Sequence, residues 1–101
     1  SFRWHPPAID DPRSLYAAVH HVNLAHGAAV DVLRARVAKA SIGAIHNMQP
    51  SRPVRPTAPD RAAAAMLDDF WNRAFPYPQI LCDYPASLQR GIEPHRQAGD
   101  M

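Results

Sequence analysis

Glutamate, lysine and cysteine each occur once in this chain of 101 residues, as Glu93, Lys39 and Cys82. A single cysteine excludes an internal disulfide and any zinc site built on cysteines. A single glutamate excludes any chemistry that needs two. No apolar run approaches the roughly 20 residues of a membrane-spanning helix, and no basic segment leads into an apolar one as in a secretory signal. Nothing contradicts a reducing cytoplasm, which is the expected compartment. Large apolar side chains are also sparse: hydrophobic residues make up 47% of the chain, but eighteen of them are alanines, which bury little area each. Positive charge rests on ten arginines, with a net charge of +2. An arginine bias can mark phosphate contact, but these arginines are dispersed among eight aspartates. No nucleic-acid partner is expected, and a reading based on Arg52, Arg55 and Arg61 would require those side chains to converge on one face.

Proline is abundant, at 11 residues, about twice its ordinary share of roughly 5%. Between the prolines the pattern is helical. Asp11-Pro12 supplies an N-cap and a first helical residue whose missing N–H does no harm. Leu15, Val19, Val22, His26, Ala29, Leu33 and Val37 follow at spacings of four and three, which predicts a helix over 12–37 with one apolar stripe. Thr57 and Asp60 have the form of a capping box before a second helix over 58–74, with Ala63, Met66, Leu67, Phe70, Trp71 and Phe75 on its buried face. A short helix can start at 85–89, and 91–101 is irregular by pattern.

The short apolar run at 41–46, with β-branched Ile42 and Ile45, predicts one strand. Lacking alternation, it reads as a strand covered on both faces, the habit of parallel sheets. One strand cannot satisfy its own backbone groups, so the sequence is expected to be an internal fragment, residues 1–101 of a single larger α/β domain. The proline-bearing loop after Asn47 is stiff, because Pro50, Pro53 and Pro56 fix their φ angles.

Reactive constellations are few. Adjacent Asp68 and Asp69 diverge by about 100° on a helix, and Asp10 and Asp11 are explained by capping. His20 and His21 diverge, and neither lies three or four residues from His26, so no metal site is expected. Cys82 reads as a small buried residue. Phe70, Trp71 and Phe75 could stack on a ring, but their spacing makes them core first.

The order and spacing of several segments resemble a known family. They are His21-Val22-Asn23-Leu24-Ala25-His26-Gly27, then Ile42-Gly43-Ala44-Ile45-His46-Asn47 with Pro50 and Pro53 following, then Asp69-Phe70-Trp71-Asn72-Arg73, Phe75-Pro76-Tyr77-Pro78 and Asp83-Tyr84-Pro85. Together they resemble the family 1 glycoside hydrolases, the retaining β-glucosidase group. Ala74 and Cys82 depart from it, standing where the family usually has tryptophan and glycine.

The resemblance implies a partial (β/α)8 TIM barrel comprising roughly the fourth helix, the fifth strand and the helices after it. It implies a β-glycoside as substrate, the remainder of the barrel as partner, and no cofactor. Retaining glycosidases use two carboxyls about 5–5.5 Å apart, both glutamates in this family, and the chain cannot supply them. Glu93, in Ile92-Glu93-Pro94, echoes one family motif superficially and is read as a decoy, so no catalytic residue is assigned and the chain alone is expected to be inactive. What it can supply is binding surface. Asn47, at the end of the expected strand, can donate to and accept from sugar hydroxyls, or merely cap a turn. His46 and Gln49 flank it. His5 resembles a family residue near the cleft entrance, with a packing role the alternative. The competing reading of the whole chain is a stand-alone helical interaction module without enzymatic activity.

Overall fold

The structure is a computed structural model and describes residues 8–100. Helix α1 (Pro12–Arg36) starts where the Asp11 carboxylate accepts from the Ser14 backbone N–H at 3.1 Å and from its hydroxyl at 2.9 Å. It ends with Arg34 and Arg36 in its last turn, where cations offset the helix dipole. Helix α2 (Ala58–Asp68) is capped by Thr57, which accepts from the Asp60 backbone N–H at 3.4 Å. The expected reciprocal half of the box is redirected: the Asp60 carboxylate accepts from the Arg55 backbone N–H at 3.0 Å and from its guanidinium at 3.0 and 3.2 Å.

The chain then widens into a π-helical stretch, Asp69–Arg73, and a second one, Tyr77–Leu81, before α3 (Ala86–Ile92) and a 3-10 turn, Glu93–His95. A π turn takes one more residue than an α turn, so it rotates every following side chain relative to a 3.6-residue period. That shift separates the expected buried face of the second helix into two. Phe70 and Phe75 pack on the core, whereas Met66, Leu67 and Trp71 are exposed.

The core is small: Val19, Ala74, Tyr84, Leu88 and Ile92 are buried, with Leu15, Tyr16, Phe70 and Phe75 packed against them. Tyr16 meets the Phe70 ring edge-on, at 6.4 Å between centroids. It also approaches Gly91 so closely that a Cβ there would lie 2.6 Å from the Tyr16 ring. The buried stripe of α1 therefore runs through Val19, His20 and Asn23. The expected continuation through Val22, Leu33 and Val37 is exposed, because α3 and the segment around Tyr84 cover only the first turns of α1.

The expected α/β architecture is overturned. Among the described residues there is no strand and no sheet; residues 41–46 run as irregular chain, and Ile45 is 102% exposed. β-Branched side chains favour a pleated surface only when neighbouring strands supply it. No second segment here offers a ladder of N–H and C=O groups, and no helix covers the Ile45 side chain. The described architecture is helical.

The chain is also extended. Its radius of gyration is 15.8 Å with extents of 51 × 30 × 27 Å, against about 13 Å for a compact domain of 100 residues. Its accessible surface of 7858 Å² exceeds the roughly 5,700 Å² that its mass of 11.2 kDa predicts for a folded monomer.

Cys82 is exposed, not buried as expected, and sits at φ 58°, ψ 29°. This left-handed conformation explains why glycine suits the position. An L side chain there carries a penalty of roughly 1–2 kcal/mol, part of which glycine's greater unfolded-state freedom offsets. Cys82→Gly should therefore raise stability by about 0.5–1 kcal/mol, read as a higher urea midpoint at unchanged slope. An unchanged or lower midpoint would show that the thiol contributes packing not visible here.

Candidate functional site

Residues 44–47 face the end of the second helical run across a cleft of about 420 Å³. Asn47 and His46 line one wall, Phe70, Trp71 and Phe75 the other, and Gln79 reaches in beside Val22 of α1. The cleft thus joins apolar ring faces to two amides and an imidazole, a lining that suits an amphiphilic ring with hydroxyl groups on its edge. Asn47 is exposed and His46 half-buried. Gln49 points elsewhere, towards a groove of about 700 Å³ bounded by Arg52, Arg55 and Trp71. His5 lies outside the described residues.

No carboxylate lines the cleft. Asp68 and Asp69, both partly exposed, are engaged structurally: Arg73 pairs with them at 3.2 and 2.9 Å and stacks over the Tyr77 ring at 5.6 Å. Asp69 also accepts from the Ser87 hydroxyl at 2.6 Å, tying the π-helical stretch to α3. Glu93 sits on the 3-10 turn with its side chain 71% exposed and a loose 3.6 Å ion pair to Arg96. Among the described residues no group of three His, Cys, Asp or Glu side chains could hold a metal ion, and no helix is long and apolar enough to cross a membrane.

Behind the cleft lies a buried polar chain that the sequence alone did not reveal. The Gln79 amide donates to Asn23 Oδ1 at 3.0 Å, and the Asn23 amide donates to the Ala74 carbonyl at 2.9 Å and to the Tyr84 hydroxyl at 3.1 Å. His20, fully buried, bonds Tyr84 through Nδ1 at 3.0 Å and Asp100 through Nε2 at 2.9 Å. The Ala74 carbonyl can only accept, which fixes the Asn23 amide, and the Asp100 carboxylate can only accept, which makes His20 Nε2 the donor. In the neutral ring Tyr84 donates to Nδ1, and the bonds from Gln79 through Asn23, Tyr84 and His20 run towards Asp100, with the Ala74 carbonyl a side branch. The available signal was His20 and Asn23, one turn apart beside Val19; their partners lie fifty or more residues away.

Four carboxylates are held below their ordinary value of 3.8: Asp100 by His20 and the Gln97 N–H, Asp83 by the Gln89 amide and the Tyr84 N–H, Asp60 by Arg55, and Asp11 by Ser14. Burial pushes the Tyr84 phenol up. A carboxylate whose folded value is depressed binds fewer protons folded than unfolded. Its contribution is present in full above the unfolded value and is lost as pH falls through the folded one. Urea midpoints should therefore decline below about pH 5 as these carboxylates take up protons, and fall again above about pH 9 as the phenol ionises in the unfolded chain, and Asp100→Asn should flatten the acid decline. A profile unchanged by that substitution would remove Asp100 from the account.

The sequence matches the profile described as glycosyl hydrolase family 1 over residues 2–100. A curated β-glucosidase from Agrobacterium sp. (strain ATCC 21400) is 32% identical over 88 residues, covering 87% of this chain and 19% of that protein. The chain thus spans about a fifth of the length of the curated relative it matches. No solved structure matches it.

Proposed function

Because the chain belongs to glycosyl hydrolase family 1, we propose that it serves a β-glucosidase-type catalytic domain, contributing substrate-binding surface to the retaining hydrolysis of a β-glycoside. The observation that carries this reading is the cleft in which Asn47 and His46 oppose Phe70, Trp71 and Phe75. Ring faces take the apolar side of a sugar or of its leaving group, while the amide and imidazole pair with hydroxyls. The remaining four-fifths of such a domain would cover exposed apolar side chains away from the cleft, such as Val32, Leu67 and Ile80, and supply the two carboxyls of the double displacement. A cytoplasmic location is part of the proposal, and a single cysteine with no internal partner is compatible with it. A second reading, a helical interaction module, is favoured by the absence of any strand among the described residues.

The test is hydrolysis of an aryl β-glucoside, with the anomeric configuration of the product followed by NMR. The larger domain carrying this chain is expected to hydrolyse with retention, Asn47→Ala to raise KM by about tenfold, and the 101 residues alone to be inactive. Absence of glycoside cleavage by the larger domain, or inversion, would overturn the proposal in favour of the module.

A further inference from the structure

We infer that Asn72 is the positioning residue for Asn47, an inference that rests on the reading of Asn47 as a substrate contact. Among the described residues no backbone-to-backbone hydrogen bond holds residues 41–56 to the rest of the chain. Asn72 supplies what a neighbouring strand would have supplied. Its Oδ1 accepts from the Gln49 backbone N–H at 2.8 Å, and its Nδ2 donates to the Gln49 carbonyl at 2.7 Å. Both backbone groups of a residue two places from Asn47 are thereby tied to one side chain.

The amide cannot turn over. The Gln49 N–H only donates, while the Gln49 carbonyl and the Asp68 carboxylate, 2.6 Å from Nδ2, only accept. Asp68 is in turn held by Arg73 at 3.2 Å. The clasp therefore sets where the chain leaves the cleft wall, and Pro50 immediately after it narrows the alternatives. With the clasp open, the hydrogen bonds nearest to Asn47 and His46 along the chain, among the described residues, would be those of the Ala40 turn and of the Arg55–Asp60 contact.

Asn72→Asp tests this with almost no change of shape, since the new carboxylate oxygen would face two acceptors. Two measurements separate the roles. Amide exchange at Gln49 should accelerate by about tenfold or more while exchange in α3 stays as it was, which shows that the fold is kept. In aryl β-glucoside hydrolysis by the full enzyme, KM should rise by about tenfold with kcat within about twofold, and the double variant with Asn47→Ala should be no worse than Asn47→Ala alone. Unchanged Gln49 exchange, additive KM effects, or an unchanged KM despite faster exchange would each overturn the inference while leaving the substrate reading intact. If Asn47→Ala itself leaves KM unaltered, the substrate reading fails and the positioning role fails with it.

Discussion

Replacing His20 with alanine is expected to lower the unfolding free energy by about 3–5 kcal/mol. The ring is fully buried and bonded at both nitrogens, so its loss acts in two ways. A cavity opens between α1, Tyr84 and Asp100, and the Tyr84 hydroxyl, buried and fed by Asn23, loses its bond to the ring. An unmatched buried polar group carries roughly 1–3 kcal/mol in addition to the cavity. Asp100 keeps only the Gln97 N–H at 2.8 Å. The check is a double-mutant cycle with Tyr84→Phe by urea unfolding. Removing both partners should cost less than the sum of the single changes, because no hydroxyl is then left unmatched. Strict additivity would mean that the buried chain of bonds does not act as a unit.

What could be read in advance depended on how far each residue's partners lie along the chain. Asp11, Pro12 and Thr57 act within one turn, so both helix starts were legible. Ile42 and Ile45 signal a strand only by propensity, and propensity cannot supply the neighbours a ladder needs. The π-helical stretches are invisible to a 3.6-residue period, and Met66 and Leu67, placed inward by that period, lie outward on a helix none of whose residues is buried. Cys82 shows no local sign of its left-handed backbone beyond the family's glycine. At the site, Asn47 was singled out by its place at the end of an expected strand together with the resemblance, and His46 as its neighbour; both line a cleft with aromatics first assigned to the core. The clasp of Asn72 on Gln49 links residues 23 positions apart and has no local signature.

Leu88→Ala is expected to be the most damaging single deletion of apolar volume. Leu88 is 1% exposed and is one of five buried hydrophobic residues among the described residues, so the core has little capacity to close around the gap, and leucine-to-alanine changes in that setting remove about 2–5 kcal/mol. A small domain has roughly 5 kcal/mol in total at the low end of the ordinary range. The cooperative urea transition should therefore weaken sharply or vanish. Leu67→Ala is the matched control, being the same chemical change on a side chain that is 52% exposed, and it should alter stability by no more than about 0.5 kcal/mol. Comparing the same pair of variants in the larger domain proposed above then asks a second question. If the exposed apolar face of α2 becomes buried there, Leu67→Ala should move from neutral to costly while Leu88→Ala remains costly in both. If Leu67→Ala stays neutral in both, α2 faces solvent in the intact protein, and the excess surface of the 101 residues has to be covered elsewhere.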